Sequence, residues 1–125
     1  MTLAAVTAIA LAGCGGSDSG DSGGGKPTTV PAGKPLVVKA DEYSFSPSNV
    51  VAKPGGPLKI ELHNDGAQAH DLHVEQDGDD RGGTPVFGPG QTKTTIVRLA
   101  PGKYDFLCTV GDHAAQGMKG TLTIK

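Results

Sequence analysis

The amino-acid sequence predicts an all-β fold, a Greek-key sandwich or barrel of about eight strands, and three observations point there. Between Pro35 and Lys125, apolar side chains recur at every second position in segments of strand length. Glycine and proline turns separate those segments, in a chain holding 20 glycines and nine prolines. No run keeps a helical period beyond a turn or two. With no tryptophan, two tyrosines and three phenylalanines, the core is modest, as suits a small β domain.

Each element follows from its own pattern. PLVVKA and EYSFS open the domain, and NVVAK runs into the turn Pro54-Gly55-Gly56-Pro57. LKIELH places Leu58, Ile60 and Leu62 on one face and Lys59, Glu61 and His63 on the other, the signature of a half-buried strand. After the turn Asn64-Asp65-Gly66, AHDLHVE puts His70, Leu72 and Val74 on the face expected to meet the core, with Asp71, His73 and Glu75 facing outward. Residues 76–90 are rich in Gly, Asp and Pro and read as loop, with a short strand from Thr84 to Phe87. TKTTIVRL, KYDFLCTV and GTLTIK complete an expected antiparallel sandwich.

Ahead of this domain, MTLAAVTAIALAG is an uncharged apolar run too short to cross a bilayer, which takes about 20 residues. It has the length of a signal-peptide core. Leu11-Ala12-Gly13-Cys14 resembles the lipobox of bacterial lipoproteins, so residues 1–13 read as a signal and Cys14 as the lipid-bearing residue. No Lys or Arg precedes the run, a departure that an upstream translation start would account for. From Gly15 to Lys34 almost no side chain is apolar, and the segment reads as a tether spanning about 25 Å. The expected layout is signal (1–13), anchor and linker (14–34), and one domain (35–125), held outside the cytoplasm on a bacterial membrane. A formal net charge of −2 gives no basic face for nucleic acid.

Four histidines, two cysteines and two methionines carry the chemistry. With Cys14 consumed by lipid, Cys108 has no partner for a disulfide. Its strand parity matches Tyr104 and Phe106, so the thiol points inward. His63 and His73 fall on polar strand faces, where an imidazole is simply solvated. His70 sits on an apolar face and needs a hydrogen-bond partner or a metal. Cys108, His113 and Met118 lie within eleven residues, and a loop from Cys108 to Met118 can fold over a strand end to bring three ligands to one ion. Thiolate, two imidazoles and a weak thioether are the donor set of a blue-copper site.

Cys108-x4-His113-x4-Met118, with Asn64-x-Gly66, His70-Asp71, GKYDFLC and MKGTLTI, resembles the cupredoxin family, near the plastocyanin-like small blue-copper proteins. The resemblance spans Pro35 to Lys125. It implies an eight-stranded Greek-key sandwich holding one copper ion, with His70, Cys108 and His113 as equatorial ligands and Met118 as the axial one. Asn64, Asp71 and Val110 are expected to support them. Two departures stand out. Thr109-Val110-Gly111-Asp112 lacks the proline common in this family's loop, leaving the Val110 N–H free to bond sulfur and raise the reduction potential. Asp71 stands where relatives often carry Asn, adding a charge that favours Cu(II).

The implied function is single-electron transfer between transient protein partners by a monomer. His113 is expected to present its edge to solvent among Gly66, Ala67, Ala69, Ala114, Ala115 and Gly117, a flat docking face. Glu75, Asp77, Asp79 and Asp80 form an acidic stretch, either a solvated loop or a steering patch for a basic partner. The main rival is an extracytoplasmic copper carrier or store using the same four residues; a metal-free structural sandwich requires the ligand spacing to be coincidence. Catalysis is not expected: no paired carboxylates or triad occur, and multicopper oxidase chemistry needs many more than four histidines.

Overall fold

The computed structural model describes residues 26–125; the predicted signal, Cys14 and the first part of the predicted tether lie outside these. Two sheets face each other. Strands β1 (Thr28–Val30), β4 (Asn49–Ala52), β10 (Lys119–Ile124), β9 (Gly102–Leu107), β6 (His73–Gln76) and β7 (Asp79–Gly83) lie side by side in that order in the larger sheet. The smaller sheet runs β3 (Ser44–Ser46), β2 (Leu36–Asp41), β5 (Leu58–Asn64), β8 (Thr92–Val97). Period-two patterning explains the core between them: Leu36, Val38 and Ala40 of β2 and Leu58, Ile60 and Leu62 of β5 face Val50, Ala52, Tyr104, Phe106, Leu122 and Ile124.

Three features correct the sequence reading. The expected all-β sandwich is present, with ten strands among the described residues, but the sheets are mixed rather than antiparallel: β1 and β10 run parallel to β4, and β2 runs parallel to β5. Alternation of side chains fixes which face is buried but is blind to strand direction, so an antiparallel expectation had nothing to test it. Second, Thr28–Val30 lies inside the stretch read as tether yet forms a strand, its register matching Thr28 with Val50 and Val30 with Ala52. Three β-branched residues in a row suit a strand, and Val30 is buried. Third, the strand of the long loop is Asp79–Gly83 rather than Thr84 to Phe87; Phe87 makes only an isolated bridge with His70.

Register brings the chemistry to one end. Leu107, the last residue of β9, lies opposite both Lys119 of β10 and His73 of β6. The 108–118 loop and the 70–72 segment therefore leave the sheet side by side. In the other sheet Ala40 of β2 pairs with Asn64 of β5, which sends residues 41–43 and 65–69 to the same end.

If Val30 seals the core, Val30→Ala should lower stability by about 1–2 kcal/mol, the transfer value of the buried carbons removed. A urea midpoint shift at unchanged slope would read it. A free tether would give no shift.

Candidate metal centre

The loop after β9 is wound tightly on itself. Cys108 N–H donates to Met118 O at 3.1 Å and Met118 N–H to His113 O at 3.1 Å, while His113 N–H closes a turn on Val110 O at 3.0 Å. Gly111 takes φ +48°, a left-handed conformation that glycine adopts without steric cost, so the turn forms without proline. The backbone of Met118 is thus bonded to both Cys108 and His113, and its side chain is fully buried. His70 arrives from across the sheets, its N–H on Phe87 O at 3.1 Å and its carbonyl accepting Phe87 N–H at 3.0 Å.

The structure brings His70, Cys108 and His113 together: their ligand atoms lie within 4.8 Å of one another, and all three residues are buried. The proton positions follow from the partners. His70 Nε2 meets Glu42 Oε1 at 3.0 Å, and a carboxylate can only accept, so Nε2–H donates and Nδ1 keeps a bare lone pair. His113 Nε2–H likewise donates to Gln68 Oε1 at 3.0 Å, leaving Nδ1 3.6 Å from Cys108 Sγ. Among the described residues, His70 Nδ1 is the buried side-chain nitrogen or oxygen without a hydrogen-bond partner. An orphaned imidazole nitrogen beside a thiol and a second bare imidazole nitrogen is the donor chemistry of a soft metal ion.

Electrostatics at sulfur pull both ways. Burial, the largest influence, pushes the Cys108 thiol above its ordinary value, while the backbone amides of Asp71 and Val110 oppose it by donating toward sulfur. Asp71 departs from its expected outward position. β6 begins only at His73, so strict alternation does not extend to residue 71. The Asp71 carboxylate is buried, accepting Thr109 N–H at 2.6 Å and the Thr109 hydroxyl. That pairing ties the 70–72 segment to the residue following Cys108. Asn64 braces the other side: its Nδ2 donates to Gln68 O at 2.8 Å and Phe87 O at 3.1 Å, and its Oδ1 accepts Gly66 N–H at 3.0 Å.

The expectation that His113 offers its edge to solvent is corrected. His113 is 6% exposed, because Gln68 covers Nε2 and the Tyr43 ring packs at 4.9 Å. The rim residues do surround this point, with Ala67, Ala115 and Gly117 exposed and Gly66, Ala69 and Ala114 half-buried. His63 and His73 stay out of the cluster; His73 sits between Asp71 and Asp80. In the acidic stretch, Asp80 accepts Gly82 N–H at 2.8 Å, which with the neighbouring His73 holds its carboxyl below the ordinary value.

Sequence reasoning missed Glu42, Tyr43 and Gln68. Glu42 Oε1 accepts Ala67 N–H at 2.8 Å and Gln68 N–H at 2.7 Å besides His70. These bonds, the Ala67 amide foremost, hold its pKa down at about 2. Glu42 lies 28 residues before His70, and no local pattern signals such a contact.

Known proteins share this fold. A family described as Cupredoxin-like domain matches residues 6–124. The chain belongs to the cupredoxin-like family. Its fold is similar to reduced auracyanin from the photosynthetic bacterium Roseiflexus castenholzii, at 22% identity and TM-score 0.65, covering 81% of this chain and 99% of that one. Auracyanin A, a "blue" copper protein from Chloroflexus aurantiacus, gives 16% identity and TM-score 0.63, covering 78% and 99%. Reduced rusticyanin gives 20% and 0.58, covering 84% and 89%. No curated protein sequence matches. In this cupredoxin the His-Cys-His cluster is suited to one copper ion. No helix among the described residues is long and apolar enough to cross a membrane.

A depressed folded-state pKa means that Glu42 contributes stability above its ordinary value of 4.5, lost as pH falls from there toward 2. In copper-free protein, the stability advantage of the parent over Glu42→Gln should be full above pH 4.5 and shrink below it. Denaturant midpoints at stepped pH read this directly, and a pH-independent difference would contradict it.

Proposed function

We propose that this cupredoxin is a mononuclear blue-copper electron-transfer protein, lipid-anchored through Cys14 outside the cytoplasm. The observation that carries the reading is the convergence of His70, Cys108 and His113, all buried, with His70 Nδ1 left without a hydrogen-bond partner. Those three residues, with the buried Met118 beside them, would hold the copper ion. When bound, copper supplies a one-electron Cu(I)/Cu(II) couple at this set. The protein's part is to hold its donors still. Tyr43 and Gln68 cover His113, Asp71 pins Thr109, and Glu42 orients His70, so the imidazoles keep one orientation and water stays out.

Burial of the ligands favours electron transfer over copper delivery. Handover needs an acceptor's donor atom to reach the ion, and His70, Cys108 and Met118 are each no more than 1% exposed. Electrons need no such entry, because the His113 side of the site reaches the surface through Gln68 and Tyr43. The small residues Gly66, Ala67, Ala69, Ala114, Ala115 and Gly117 around that point are the proposed docking face, matched to transient redox interfaces of less than about 1,200 Å². The anchor reading rests on Leu11-Ala12-Gly13-Cys14.

Two measurements test the proposal. Copper-loaded protein should show an intense visible thiolate-to-copper absorption that Cys108→Ser abolishes; tight but colourless binding would move the carrier reading to the front. Expressed in a bacterial host, the full chain should partition into detergent and take up labelled fatty acid. Cys14→Ser should do neither, and unchanged labelling of that variant would refute the anchor.

A further inference from the structure

We infer that Glu42 is a positioning residue of the copper site, whose negative charge acts through His70 to favour Cu(II) and lower the reduction potential. The inference deepens the electron-transfer reading and rests on it. Glu42 follows β2 directly, in the smaller sheet, yet its carboxylate reaches the far nitrogen of a ligand histidine at 3.0 Å. Two neighbouring amides, Ala67 and Gln68, hold the same oxygen at 2.8 and 2.7 Å. Gly66 completes the cradle: a Cβ there would lie 2.4 Å from Glu42 Oε1, so only glycine lets the carboxylate seat this deeply. With the His70 imidazole, three N–H donors converge on one carboxylate oxygen, the surroundings of an ionised carboxylate.

An ionised acceptor on His70 Nε2–H does two things. It excludes the other tautomer, keeping the lone pair on Nδ1, the atom that faces Cys108 and His113. It also makes the imidazole more electron-rich and adds a negative charge beside the metal. Cu(II) carries one more positive charge than Cu(I), so both effects stabilise the oxidised state more. The groups described around the Glu42 carboxylate are two backbone amides, the His70 imidazole and the Asp41 side chain, with no lysine or arginine, so the charge is not cancelled by a cation.

Glu42→Gln tests this, because an amide oxygen can accept the same three bonds without the charge. The variant should lose about tenfold in affinity for Cu(II) relative to Cu(I), equivalent to a potential about 59 mV higher for one electron. Gly66→Ala, which evicts the carboxylate while leaving it in the chain, should shift the potential the same way. Nitrogen-15 NMR of the copper-free full-length protein should find His70 protonated on Nε2 and bare on Nδ1, with that preference weakened in Gly66→Ala. A potential unchanged in Glu42→Gln, or a proton on Nδ1 in the parent, would overturn the inference. If the parent showed no thiolate-to-copper absorption, the electron-transfer reading would fail, while the tautomer in the copper-free protein would still decide whether Glu42 orients His70.

Discussion

An imidazole nitrogen buried without a partner costs about 1–3 kcal/mol, and the architecture of this cupredoxin is organised to keep His70 Nδ1 in that condition. The outer nitrogen is satisfied by Glu42, and the backbone on both sides of the ring is tied to Phe87. The ring therefore has no easy rotation by which Nδ1 would find water. His113 repeats the device with a neutral acceptor, Gln68. Two imidazoles with their outer protons engaged and their inner lone pairs aimed at one thiol form a site prepared before any ion arrives, so that little reorganisation is left for binding or for a change of oxidation state.

Preparation at the ligands is inherited from strand register. Because Leu107 stands opposite Lys119 on one side and His73 on the other, the thiol, the Met118 loop and the His70 segment emerge at one end of the larger sheet. The parallel pairing of β2 with β5 does the equivalent in the smaller sheet, aligning Ala40 with Asn64 so that Glu42 and the 66–68 loop meet. Glu42 then bonds across from one sheet to a ligand carried by the other. A shift of one residue in either ladder would turn the alternating core outward and at the same time separate the donors, so stability and site geometry answer to the same constraint.

Much of this was legible in the chain. Alternation located β2, β4, β5, β9 and β10 because each buries one face only, β8 was marked by its β-branched run instead, and the Cys108, His113, Met118 spacing pointed to a soft metal because their residue types do. What escaped is instructive. Strand direction left no trace, since alternation is identical in parallel and antiparallel strands. Alternation carried back to Ala69, four residues before β6 begins, turns Asp71 outward, whereas its carboxylate is used internally on Thr109. Val30 was hidden by its glycine-rich surroundings. The covering of His113 by Gln68 joins residues 45 apart in the chain, and the hold of Glu42 on His70 joins residues 28 apart. Nothing local in a sequence encodes them.

Those non-local contacts also decide the electrostatic character of the centre. Sulfur is approached by two backbone amides, from Asp71 and Val110, whose dipoles withdraw charge from the ligand. Behind the ligands stand two carboxylates, and the groups described around them are amides, a threonine hydroxyl, the Asp41 side chain and the imidazoles of His70 and His73, with no lysine or arginine. Dipoles can satisfy the hydrogen-bonding capacity of a carboxylate without neutralising its charge. The negative charge therefore remains at the site and falls off more slowly with distance than the dipoles of the sulfur-directed amides. Glu42 acts from the far side of His70 and Asp71 from beside Cys108, so the two carboxylates flank the cluster, and the amides tune sulfur against a background that already leans toward the more highly charged metal ion.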